Sequence, residues 1–270
     1  MMNREHDDGF TAQDHTWVIC AFRESPYLEE CILSLLKQTV LSHLLMVTST
    51  PCGYISDLSS KYGIELRVNT GEKGIGPDWN FVLRSVETKL ITLAHQDDVY
   101  EPEYAESMLA VVNRVRNPIL YFTGYGELRK GEKVLNNQLL RIKKLMLMPI
   151  RFFPGRIWAR RLSLRFGNPV CCPSVTYRKT VMADMLFGSD LKSNVDWDMW
   201  ERLSGIKGSF VYNTEPLMCH RIHEGSTTNE IIGQGSRGQE DLEMFRRFWP
   251  EGIARFLAKR YAGSEKSNQI

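Results

Sequence analysis

The stretch ITLAHQDDVYEPE, residues 91–103, decides how this chain folds. Ile91, Leu93 and Ala94 lie in a short apolar run that reads as a strand buried on both faces. Asp97 and Asp98 follow at its carboxyl end, and Pro102 suits the first turn of a helix beyond them. In open parallel α/β sheets, ligands bind in the loops at the carboxyl ends of the strands. Adjacent carboxylates repel, and a fold keeps them where a cation or hydrogen-bond donors compensate the charge. Taken alone, the pair reads equally as one helix-capping acid and one solvated acid, so the surrounding segments must decide.

Working outward, strands and helices alternate. WVICA (17–21) reads as a buried strand, followed by Ser25 as N-cap and Pro26 at the first helical position. Tyr27, Leu28, Cys31, Ile32, Leu35 and Leu36 then recur at helical spacing. Strand-like runs at 43–49 and 64–69 flank a short helix at 54–63 that Gly63 stops, and the glycine-rich TGEKGIGP leads into a helix over 78–87. This order predicts an α/β fold with a mostly parallel sheet flanked by helices. Beyond it come a helix from 103 to 116, a strand over 118–124 and a hairpin at Gly131. Residues 141–165 then hold eight basic side chains and no acid among large apolar ones. Such a stretch can lie on an anionic membrane surface, close over a phosphate-bearing substrate, or form two packed helices with a solvated basic face.

Composition narrows the classes. With 270 residues, 43% of them hydrophobic, the chain can bury a core as one large domain or a domain with an appendage. Thirty-four basic and 32 acidic side chains leave a net charge of +2, which excludes a whole-molecule field for nucleic acid. The six cysteines form no CxxC pair and read as small buried hydrophobes of a reducing compartment. The polar first residues carry no signal-peptide core, so residues 1–14 are expected to be mobile and the protein cytoplasmic.

Five segments in order, VICAFRES, GEKGIGPDWNFVL, LAHQDDVYEPE, NVDWDMWERL and HRIHEGSTT, together resemble the family 2 glycosyltransferases over roughly residues 15–228. These are nucleotide-sugar enzymes of the GT-A type, with a Rossmann-like sheet and a C-terminal acceptor-side extension. The resemblance implies a donor-binding half over 15–124, an acceptor-side half over 125–228 and a helical tail over 229–270. It further implies a UDP-, GDP- or dTDP-linked sugar donor, a glycan or lipid-linked acceptor, and a single displacement with inversion. Ala21, Phe22, Glu24, Gly76, Asn80, Gln96, Asp97 and Arg221 fall where the family contacts the nucleotide sugar. HQDD matches its aspartate metal motif, in which Asp98 is expected to bind Mn²⁺ or Mg²⁺ directly. His223 is either a further ligand or a structural hydrogen-bonder.

Arg221, opening a Gly-Ser-Thr-Thr loop, is expected to clamp the diphosphate. On the acceptor side Asp196 is the expected general base, its pKa raised by Trp197 and Trp200, which are three residues apart and share a helix face. Asp198 reads as a helix N-terminal acid. There are departures: Thr48, Ser49 and Thr50 stand where the family has acids, His95 replaces the first aspartate of the metal motif, and Val195 replaces a Glu. A non-catalytic descendant of such enzymes is therefore an alternative, which Asp196 and His223 argue against. A nucleotidyltransferase is another, but AFRESPYLEE has no glycine to cradle a triphosphate. The expected location is the cytoplasm or the inner face of the membrane.

Overall fold

The computed structural model describes residues 9–223 and 237–266. Strands β1 (His15–Ala21), β2 (His43–Thr48), β3 (Glu65–Val68) and β4 (Leu90–His95) run parallel in the order β3-β2-β1-β4. Helices α1 (Leu28–Leu36), α2 (Gly53–Lys61) and α3 (Ile75–Ser85) connect them. Alternate side chains of β1 feed two separate cores. Trp17 and Ile19 pack with Leu28, Cys31 and Ile32 on one face, and Val18 with Trp79, Val82 and Leu83 on the other. This is why the strands read as unbroken apolar runs.

After β4, the chain makes a two-residue strand, β5 (Val99–Tyr100), before α4 (Tyr104–Val112). Pro102 lies in the turn ahead of α4, not in its first turn. The sheet continues through β6 (Pro118–Arg129), its hairpin partner β7 (Glu132–Val134), β8 (Val175–Arg178) and the long β9 (Ser209–Ile222). The full order is β3-β2-β1-β4-β8-β6-β9-β5 with β7 on β6, and β6 and β9 are parallel. Of these nine strands, β8, β5 and β7 pair antiparallel, so the sheet is mostly parallel, as expected.

Between β7 and β8 stand α5 (Gln138–Met146), α6 (Met148–Phe152) and α7 (Ile157–Leu164). After β8 come α8 (Lys179–Met182) and α9 (Val195–Ser204), and after β9 come α10 (Arg237–Arg246) and α11 (Glu251–Lys266). Among the described residues no helix is long and apolar enough to cross a membrane.

β6 runs unbroken across residue 124, and β8 and β9 join the same sheet, so the two expected halves of the one domain share one sheet. Other expectations need correcting. Residues Phe10–Asp14 are anchored: the Asn113 side chain bonds both the N–H and the C=O of Phe10, at 2.6 and 2.8 Å. The described part of the C-terminal tail is helical and packed, with Met244, Phe245 and Ala254 in the core. The basic stretch forms three helices, since Pro149 and the Pro154-Gly155 pair divide it.

Candidate active site

The site is built by β5. Its pairing of Val99 with Cys219 and Tyr100 with Met218 draws the turn holding Gln96, Asp97 and Asp98 onto the end of β9. There Asp98 Oδ1 accepts from the Arg221 backbone N–H (2.9 Å) and lies 3.0 Å from His220 Nδ1. Asp98 is 1% exposed, and its Oδ2 has no hydrogen-bond partner among the described residues. Burial alone would raise this carboxyl, but the neighbouring His220 charge offsets it and holds Asp98 below its usual pKa. Burial likewise opposes charge on His220, and Asp98 more than offsets that, so the imidazole lies above its usual value. His220 is a site residue that sequence reasoning missed.

Asp97 is the more open acid. Its Oδ1 accepts from the Ser25 hydroxyl (2.6 Å), and its Oδ2 lies 3.3 Å from His223 Nε2, whose ring packs edge-on against Tyr27. Asp97, not Asp98, is the acid that faces His223. Among the described residues no group of three or more His, Cys, Asp or Glu is arranged to hold a metal, so an ion would draw further ligands from elsewhere.

The expected diphosphate clamp is engaged within the protein. Arg221 is 8% exposed, donates to the Asp97 backbone carbonyl (2.8 Å) and to Glu30 (2.5 Å), and lies over the Tyr27 ring. It pins the aspartate turn to α1. The Gly-Ser-Thr-Thr lid, residues 225–228, lies outside the described residues.

Three other expected donor-binding residues also serve the scaffold. Gln96 accepts from the Phe22 N–H and donates to the Phe22 C=O, both at 2.9 Å, so its amide ties the β1 loop to the β4 loop. Asn80 clamps the Phe187 backbone in the same way, at 2.8 and 2.9 Å. At Gly76 a β-carbon would collide with the Gly188 carbonyl oxygen, so packing alone requires that glycine. By contrast Ala21 ends β1 buried, and the next three residues, through Glu24, are exposed at the cleft edge. Arg23 there has a left-handed φ of 55° and donates its N–H to Thr50 Oγ1 (2.7 Å).

Two departures from the family pattern now have a physical account. At the end of β2, where the family has acids, Ser49 Oγ donates to Asp78 of α3 (2.8 Å), which also accepts from Asn69 Nδ2 (2.7 Å). His95 stacks on Trp79, and burial holds it below its usual pKa, so a neutral ring stands where the family has an acid.

On the acceptor side Asp196 is half-buried in the first turn of α9. Its Oδ2 accepts from Asn168 Nδ2 and its Oδ1 from the Trp197 N–H, both at 2.7 Å. Burial pushes its carboxyl above the usual value, against the lowering effect of these two donors. The expected acceptor platform is overturned, because Trp197 and Trp200 are both 0% exposed. Trp197 donates its indole N–H to the Leu164 carbonyl and packs on Phe245, while Trp200 stacks on Tyr177. Asp198 is a buried ion-pair centre, bonded to Arg202 and Arg247, and not merely a helix-dipole acid.

The two acidic ends lie within electrostatic reach of one buried side chain. The charges of Asp98, Lys143 and Asp196 all act on the buried Cys171 between them. Lys143, from the basic stretch, turns inward and donates to Tyr125 OH (2.9 Å), and its charge reaches both Asp196 and His220.

A mostly parallel sheet with paired acids beyond β4, extended by antiparallel strands and followed by a helix that carries a further acid, is a GT-A glycosyltransferase architecture. The chain belongs to glycosyl transferase family 2, whose profile matches residues 16–165, over half its length. It is 24% identical over 250 residues to an uncharacterised glycosyltransferase of Rickettsia typhi, covering 90% of this chain and 72% of that one. An uncharacterised glycosyltransferase of Haemophilus influenzae is 20% identical over 258 residues, with 90% and 74% covered. Among solved structures, S. aureus TarS 1–349 in complex with UDP-GlcNAc superposes with a TM-score of 0.60 at 15% identity, covering 94% of this chain and 73% of that one. The mannosyltransferase PcManGT of Pyrobaculum calidifontis, in complex with GDP-Man and Mn²⁺, gives 0.61 at 11% identity, with 92% and 69% covered.

Proposed function

We propose that this glycosyltransferase moves a sugar from a nucleotide-diphosphate donor to a hydroxyl of a glycan or lipid-linked acceptor, with inversion, using Asp196 as general base. The observation that carries the reading is the opposite tuning of two carboxyls that both act on the buried Cys171: Asp98 is held below its usual pKa and Asp196 above it. Environments that push two acids apart assign them different tasks. Asp196 is the acid able to take a proton, and Asp98 stays ionised.

In the proposed reaction the acceptor oxygen bonds to the anomeric carbon as the bond from that carbon to the diphosphate oxygen breaks. The hydroxyl proton passes to Asp196. Asn168 and the Trp197 N–H fix the orientation of the carboxylate. On the donor side the Gln96 clamp and the Arg221 bond to the Asp97 carbonyl hold the turn, so Asp97 is presented without further rearrangement. Asp78, with Ser49 and Asn69, offers the nucleoside an acid that β2 lacks.

The donor set fits a divalent ion. Asp97 Oδ2 and His223 Nε2 are 3.3 Å apart, and Asp98 Oδ2, buried in the same turn as Asp97, is unpartnered among the described residues. When bound, Mn²⁺ or Mg²⁺ supplies charge neutralisation at the leaving diphosphate, with Asp97 and His223 as its protein ligands.

A panel of UDP-, GDP- and dTDP-sugars in a thermal-shift assay with Mn²⁺ tests the reading, because a ligand selective for the folded state raises the melting temperature. At least one donor should stabilise the protein more with Mn²⁺ than with EDTA. A protein that no nucleotide sugar stabilises is not this enzyme.

A further inference from the structure

The basic stretch divides its charges. Lys143 points into the cleft, Arg160 is 0% exposed and donates to the carbonyls of Ile206 and Gly208, and Arg161 pairs with Glu201. The remaining five basic residues of 141–165 are partly or fully open to solvent. The apolar residues divide too. Leu140, Leu147, Ile150, Ala159 and Leu164 turn inward as core. On the outside Leu145 is 72%, Phe152 63% and Trp158 54% exposed, accompanied by Phe153, Ile157 and Leu162. Along α7 the exposed Ile157, Trp158 and Leu162 lie opposite the buried Ala159, Arg160, Ser163 and Leu164, so this is one helix face.

A single protein domain rarely leaves so many large apolar side chains uncovered without a partner. The composition selects the partner. Aromatic and branched apolar residues, interleaved with Arg141, Arg151 and Arg156 and with no acid in the stretch, match a lipid surface bearing negative headgroups. A protein partner's apolar patch would satisfy the aromatic groups but not this excess of charge.

We infer that the outer faces of α5, α6 and α7 dock the enzyme on an anionic lipid bilayer. The position of the surface adds a consequence that rests on the function proposed above. The carbonyl of Leu164, at the end of α7, accepts from Trp197, and Asn168, four residues on, holds Asp196. The docking helices are thus joined to the acceptor end of the cleft. An acceptor carried on a lipid, with its reacting hydroxyl above the membrane plane, meets that end first.

Co-sedimentation with vesicles tests the surface apart from catalysis. The protein should pellet with vesicles of phosphatidylglycerol and phosphatidylcholine at low salt, less as salt rises, and weakly with phosphatidylcholine alone. The double variants Phe152→Ser with Trp158→Ser, and Arg151→Glu with Arg156→Glu, should each bind at least tenfold more weakly. Their melting temperatures should stay near wild type, because all four side chains are exposed. Absence of binding at low salt would overturn the inference, as would binding that neither variant changes. A concentration-dependent dimer in sedimentation velocity, lost in the serine variant, would overturn it in favour of a second copy. Nucleotide-sugar stabilisation without vesicle binding would leave the enzyme reading standing alone, and the reverse would leave only the membrane surface.

Discussion

The donor and acceptor ends of the cleft hold their carboxylates by opposite means. Asp98 is buried against an imidazole that gains charge and a backbone N–H, while the hydrogen bonds that Asp196 accepts from Asn168 and the Trp197 N–H come from neutral donors. A charged partner keeps a buried acid ionised, and neutral donors leave burial to raise its pKa. The difference shows how one fold can place a fixed negative charge and a proton acceptor on the same cleft. It also separates residues that hold the machinery from those that face the substrate.

After the loss of the proposed base itself, the largest expected effect comes from Asp97, the acid that faces outward at the donor end. Asp97→Asn keeps an acceptor for Ser25 but removes the charge, and transfer should fall on the order of 10² to 10³, as for the loss of one contact to developing charge. Donor affinity measured in Mn²⁺ should drop while affinity in EDTA barely moves. Equal affinities in the two buffers, for wild type and variant, would break the donor half of the comparison.

A smaller effect separates the two acids of α9. Asp198→Asn strips the shared carboxylate from Arg202 and Arg247, which are themselves about a third exposed. The cost should be about 2 to 3 kcal/mol, seen as a lower urea midpoint with an unchanged slope. If stability is untouched, Asp198 is not the ion-pair centre described.

The smallest effect is a matter of sign. The Asp196 carboxyl has a folded-state pKa above its unfolded value of 3.8. Its contribution to stability is therefore fully present below the unfolded pKa and lost as pH rises through the folded one. Asp196→Asn should match wild type in stability near pH 3 and exceed it near pH 7. Denaturant titrations at the two pH values decide this, and a variant less stable at neutral pH would mean that Asp196 carries an unrecognised charged partner.

Most of the sheet was legible because β1, β2 and β4 are covered on both faces and so read as unbroken apolar runs. β5 was not, since two residues carry no period, yet it is the strand that joins the aspartate turn to His220. Helix α1 starts at Leu28, and not straight after Ser25, whose hydroxyl accepts from the Tyr27 N–H and donates to Asp97. Gln96 and Asn80 were expected to contact the nucleotide sugar, and both clamp the backbone of a distant residue. Their partners are single backbone peptides 74 and 107 residues away, which no local pattern reveals. The spacing of Trp197 and Trp200 gave a shared face but not what covers it. Lys143 was counted as one of eight like charges, and nothing in the sequence says which of the eight turns inward.

The central claim is that Asp196 takes the acceptor proton while the donor is held elsewhere. Asp196→Asn tests it with two measurements on one protein: the affinity for a stabilising nucleotide sugar in Mn²⁺, and the transfer rate from that donor. Affinity should stay within about twofold of wild type while the rate falls by about 10² to 10⁴, the usual contribution of a positioned base. A rate that survives the substitution, or a loss of affinity that matches the loss of rate, would contradict the account.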